Sequence, residues 1–174
     1  MLDSIYSDIK KVLKITWPML LISVVLLVSL RVTYIITQKK KVIWYQEILF
    51  LCFSLYIICL FQIVTTQDIN TLQGNNFTLF KELFRYSFGS RLFIRNVIGN
   101  MLLFLPYGFF ANYFIKNMKA LIAFLLILIA SLSIELTQLA IGRVFDIDDI
   151  LLNLFGGMLG FFIYFLIKKI KYRR

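Results

Sequence analysis

The sequence predicts an all-α fold, a polytopic membrane bundle of about five transmembrane helices joined by short interfacial helices. Three observations predict it. The 174-residue chain is 60% hydrophobic with only 16% charged residues, and its mean hydropathy is +0.84. Both values lie well outside those of a soluble domain. Five apolar runs also approach the ~20 residues that a hydrocarbon layer of about 30 Å demands.

Taken in order, residues 1–14 place Leu2, Ile5, Tyr6, Ile9, Val12 and Leu13 at helical spacing. A short interfacial helix leading into the first span is expected there. The segment has neither the basic start nor the small-residue cleavage site of a secretory signal, so the first span is expected to be retained. Spans are expected at 15–36, 42–64, 95–115, 120–141 and 150–168. Between the second and third, Phe77, Phe80, Leu83, Phe84 and Phe88 oppose Lys81, Glu82 and Arg85. That segment is expected to lie along the membrane surface and roof the space between the helices. Pro106 in the third span removes a backbone donor and frees the Leu102 carbonyl, which predicts a kink, with Gly108 adding slack.

Charge and residue types exclude several functions. The net charge of +10 arises from basic residues lying between apolar runs, which points to anionic lipid headgroups and away from nucleic acid. Histidine is absent, so serine–histidine and cysteine–histidine catalysis are excluded within these residues. Cys52 and Cys59, seven apart, have Cα atoms about 10 Å apart on a helix, too far for a bridge, and are read as buried packing residues. Five spans put the ends on opposite sides. The Lys39–Lys41 loop, the Lys116/Lys119 turn and the C-terminal tail share one side, expected to be cytoplasmic by the positive-inside rule. Lys10, Lys11, Lys14 and the four basic residues from Lys81 to Arg95 run against that count.

Polar residues interrupt the last three spans at one membrane level. Asp or Arg at a helix centre costs about 2.5–3.5 kcal/mol on translocon scales, so the interruption needs a reason. Asn96 and Asn100 open the third span. Ser131, Glu135 and Gln138 lie within about 17 Å of the Gly142 end of the fourth. Asp149 and Asn153 open the fifth, and Arg143, Asp146 and Asp148 fill the connecting loop. Spacings of three and four put each helix's polar residues on one stripe. Gly156 and Gly160 are expected to press the Asn153 face against the Glu135 face. Asp148 or Asp149 suits capping of the fifth helix, and Arg143 suits a helix C-terminus or a pairing with Asp146 or Glu135. Glu135 has no local cation, and is expected to be either paired or protonated. No cofactor is expected, although the oxygen-rich cluster would suit Mg²⁺ or Ca²⁺ despite lacking a recognised metal loop.

The stretches RNVIGNMLLFLPYGFF and SLSIELTQLAIGRVFDIDDILLNLFGGMLG resemble the VanZ-like family of bacterial membrane proteins. Asn100, Phe104, Pro106, Gly108, Ser131, Glu135, Gln138, Arg143, Asp146, Asp149, Asn153, Gly156 and Gly160 stand at the matching positions. NNFTLF from Asn75 looks like a further family element without its proline. The resemblance covers about 75–168, which divides the chain into 1–74 (interfacial segment and two spans), the VanZ-like domain 75–168, and a basic tail 169–174. It implies a multi-pass protein of the bacterial plasma membrane with a role at the cell envelope, in a family named for lowered susceptibility to glycopeptides, teicoplanin in particular. The expected function is binding of a lipid-linked or anionic headgroup, with a lipid-linked cell-wall precursor as one source. Arg143, with Arg91 or Arg95, would contact phosphate. Alternatives are an enzyme acting on lipid phosphates with Glu135 as base, an assembly partner in a homo- or hetero-oligomer, and transport.

Overall fold

The computed structural model describes residues 21–38, 42–66, 75–115 and 117–171, with the side chains of 63–66 and 82 left aside. The expected N-terminal interfacial helix, the Lys39–Lys41 loop and the last three tail residues lie outside the described residues. Among the described residues the structure is helical, with one isolated bridge and no strand. Four helices are long and apolar enough to cross a membrane, so the chain is an all-α membrane bundle.

The chain divides into two units, Met1–Gln67 and Asp68–Arg174. The first holds α1 (Leu21–Thr37) and α2 (Trp44–Thr66). Arg31 on α1 makes a bidentate ion pair with Glu47 on α2, Nε to Oε2 at 2.6 Å and Nη2 to Oε1 at 3.0 Å. The guanidinium also lies 5.0 Å from the Phe50 ring centroid and 5.4 Å from that of Tyr34. A paired, aromatic-stacked arginine is the form in which that charge is tolerated in an apolar helix. The cysteines expected to be buried are not: Cys52 is exposed and Cys59 half-buried, both as free thiols. In a spanning helix the exposed face meets hydrocarbon, where a thiol serves as a small apolar group.

The second unit contains α3 (Lys81–Arg85), α4 (Arg91–Phe114), α5 (Ala120–Ala140) and α6 (Ile147–Lys171). The expected surface helix is thus only five residues long, with Phe77, Phe84 and Phe88 exposed around it. Helix α4 begins under the Ser90 hydroxyl, which accepts from Phe93 N. It passes through a π-helical turn, Ile94–Ile98, and runs on through Pro106 without ending.

Most of the packing is α4 against α6, with α5 set on α6 beside it. Lipid tails are as apolar as leucine, so spanning helices associate through close backbone fit and not through hydrophobic exclusion. Gly156 and Gly160 supply that fit, but against α4: an added Cβ would strike the Met101 carbonyl at Gly156 and the Leu105 carbonyl at Gly160. The expectation that they face the Glu135 helix is corrected, and α5 is met instead by Gly157 through the Ile127 side chain. Gly108 is likewise not slack, since its Cβ would strike the Gly157 carbonyl. At the end remote from the polar layer, Met118, Ala123 and Phe161 form a small core. There Asn112 Nδ2 donates to the Phe161 carbonyl at 3.0 Å.

Candidate functional site

Helix α5 shows why the site is where it is. Its buried stripe runs through Ala123, Ile127, Ser131, Ile134, Glu135 and Gln138, while Leu125, Ile129, Leu132 and Leu136 are exposed. The stripe keeps helical spacing throughout, but its last turns change from apolar to polar. Those turns face the start of α6 and the 143–146 loop, which carry the complementary groups.

The helix ends in a Schellman motif. Gly142 adopts φ +81, its N–H donates to the Leu139 carbonyl (3.1 Å), and Arg143 N–H donates to the Gln138 carbonyl (2.9 Å). Glycine is favoured at this left-handed position because a Cβ is strained there. The motif carries Arg143 back over Gln138. In the amide orientation that satisfies both neighbours, Gln138 accepts from Arg143 Nη1 at 2.5 Å and donates to Glu135 Oε1 at 2.9 Å. The second Glu135 oxygen, Oε2, accepts from Asp146 N–H at 3.0 Å. Arg143 thus reaches Glu135 through an amide bridge.

Asp146 caps α6, its Oδ1 accepting from Asp148 N–H at 2.9 Å, so the cap expected of Asp148 or Asp149 sits earlier in the chain. The same oxygen accepts from Asn76 Nδ2 at 2.9 Å. Asn76 and Asp146 also form an isolated parallel bridge, with Asn76 N–H donating to the Phe145 carbonyl (2.8 Å) and Ile147 N–H to the Asn76 carbonyl (3.1 Å). Asn75 Oδ1 accepts from Phe145 N–H at 3.0 Å. Asp148, almost wholly buried, accepts from Phe80 N–H at 2.6 Å. Phe80 itself takes the left-handed conformation, φ 66, which is uncommon outside glycine.

Two further contacts tie α6 to its neighbours. Asn100 Nδ2 on α4 donates to Asp149 Oδ1 at 2.5 Å, and Asn153 Nδ2 donates to Ser131 Oγ on α5 at 3.0 Å. The structure therefore pairs Asn100 with Asp149 and Ser131 with Asn153, and joins Glu135, Gln138, Arg143 and Asp146 in one network. Asn96 makes none of these bonds and is half-buried in the π turn. Sequence reasoning missed Asn75 and Asn76 as members of the network. Their signal was the paired asparagines ahead of the amphipathic segment. Among the described residues no buried side-chain polar atom lacks a partner, and no cluster of three or more His, Cys, Asp or Glu groups is arranged for a metal.

Four helices long and apolar enough to span, among the described residues, and polar side chains shared by three of them define an all-α membrane bundle with a polar cluster between its helices. The family profile described as VanZ/LLP1 matches residues 47–168, and the chain belongs to that family. It is also similar to Protein VanZ of Enterococcus faecium, at 38% identity over 77 residues, or 43% of this chain. The match spans 47% of that relative, so the chain covers about half of its length. No solved structure matches.

Proposed function

We propose that this protein is a multi-pass protein of the bacterial plasma membrane that binds an anionic, lipid-linked headgroup at the Arg143 end of its polar site, and that it contributes to tolerance of teicoplanin-type glycopeptides. Its partners are then the lipids of the bilayer, with a lipid-linked cell-wall precursor as the headgroup donor. The observation that carries the reading is the Arg143–Gln138–Glu135 bridge, which holds the half-buried Arg143 just past the end of α5. Guanidinium suits phosphate because its fork makes paired, charge-assisted hydrogen bonds. Glu135, held by Gln138 and Asp146 N–H, is a positioning residue. Lys168, Lys169 and Lys171 end α6 opposite the site, which supports a cytoplasmic C-terminus and an outward-facing site.

A tolerance assay in cells across Arg143→Ala, Glu135→Gln, Asp149→Asn and Asn153→Ala, each matched for membrane abundance, tests this. Arg143→Ala is expected to abolish tolerance at normal abundance, and unchanged tolerance overturns the reading. Complete pairing of the buried polar groups favours a second reading, a scaffold that only sets helix register. Under it, all four variants change abundance and none changes tolerance per molecule.

A further inference from the structure

A cavity of about 500 Å³ opens beside the polar network within the second unit. Leu151, Phe155 and Met158 of α6 line it, with Val97 and Met101 of α4 and Phe124 of α5. From Asp148 at its upper end to Met158 it follows α6 for about 15 Å, at roughly 1.5 Å per residue. Its size lies within the ~300–1,000 Å³ of ligand pockets. The lining is apolar except for Asp148, whose carboxylate is turned to Phe80 N–H in the roof. Because α4 and α6 are long and apolar enough to span, the cavity runs from the interface into the depth occupied by lipid chains.

Basic residues adjoin its Phe80, Leu83 and Val97 walls along the chain. The roof residue Phe80 adjoins Lys81, and Arg85, Arg91 and Arg95 follow along the same interfacial segment and the first turns of α4, all four exposed. Each such cation is worth about 1 kcal/mol near an anionic lipid surface. An apolar slot beneath a basic rim is complementary to one molecule class, an amphiphile with a hydrocarbon chain and an anionic head.

We infer that the Phe80-roofed cavity between α4 and α6 holds one hydrocarbon chain of an anionic bilayer lipid, with the lipid's phosphate on the Lys81–Arg95 rim. This rests on the headgroup reading only for the class of ligand, an anionic lipid, and adds a chain site separate from the Arg143 contact. The left-handed Phe80 is then the hinge of the roof: its backbone is held by Asp148 while its ring closes the slot.

The full chain, reconstituted in vesicles containing phosphatidylglycerol with a photoactivatable group at the end of one acyl chain, tests the inference. Cross-links are expected at Met101, Leu151, Phe155 or Met158. Met101→Trp and Leu151→Trp, each checked for helicity and monodispersity, fill the slot from its α4 and α6 walls and are expected to bring loss of those cross-links. A phosphatidylcholine probe of the same chain is expected to label less. Labelling spread evenly over the lipid-facing helices, undiminished by both tryptophans, or equal for the two lipids overturns the proposal. Arg143→Ala separates the two ideas: slot labelling that persists in it while tolerance is also unchanged removes the headgroup reading and leaves the chain site standing.

Discussion

Glu135 illustrates how a carboxylate is kept in a spanning helix. One oxygen takes the Gln138 amide and the other takes the Asp146 N–H, so both acceptors are used and the loop is pinned to the helix. Glu135→Ala leaves two buried donors without partners, and an expected loss of about 2–4 kcal/mol follows. Glu135→Gln is expected to lose less, because its amide oxygen still accepts. Thermal or denaturant midpoints in detergent check this, and equal midpoints for wild type and Glu135→Ala would contradict it. Gly142 makes a second test. At φ +81 an alanine costs about 1–2 kcal/mol of left-handed strain although nothing crowds its Cβ. The Schellman turn then loosens, and Arg143 with it, so Gly142→Ala is expected to reduce tolerance as well as stability.

At the scale of elements, glycines decide how closely α4 and α6 approach. Gly156→Ala would gain about 1 kcal/mol of helix propensity in isolation. Here the added methyl meets the Met101 backbone, which has no rotamer with which to move aside, so a net loss of folded yield is expected on size exclusion. A yield at or above wild type would show that the helices have room to separate. The Gly156/Gly160 spacing was legible in the sequence as a close approach, but its partner was not. Spacing says that a backbone comes near and is silent on which one. The polar stripes of α5 and α6 were legible for a better reason, since spacings of three and four fix a common helix face whatever the neighbours; on α4 the π turn at Ile94–Ile98 breaks that spacing and Asn96 stands apart from Asn100. The contribution of Asn75 and Asn76 was not legible, because it depends on a backbone bridge to a loop far along the chain.

For the whole molecule, unit by unit, the sequence outlined the helices well and the loops poorly. Five helices appear where five apolar runs stand, yet the described part of the first, Leu21–Thr37, is shorter than a full span. The polar motifs begin near residue 75, whereas the family match begins at 47 and so takes in most of α2. In the first unit, Glu47→Ala is expected to cost about 1.5–3 kcal/mol through the bidentate bonds to Arg31, measured as a lower midpoint in detergent. In the second, three spans separate Phe88 from Lys169. With Cys52 and Cys59 replaced by alanine, single cysteines at those two positions are expected to react with an impermeant thiol reagent from opposite faces of the membrane. Reaction from the same face would remove one span.

The bond between Asn76 and Asp146 joins positions 70 residues apart, and it bears on how the protein is made. Asn76 leaves the ribosome long before the loop it clasps, whereas Glu135 and Asp146, 11 residues apart, emerge almost together. Until then Asn76 must borrow water, headgroups or insertion machinery as temporary partners. Nascent chains stalled short of Phe145 are therefore expected to be cleared by membrane proteases, while chains that reach the end of α6 gain their lifetime in a single step.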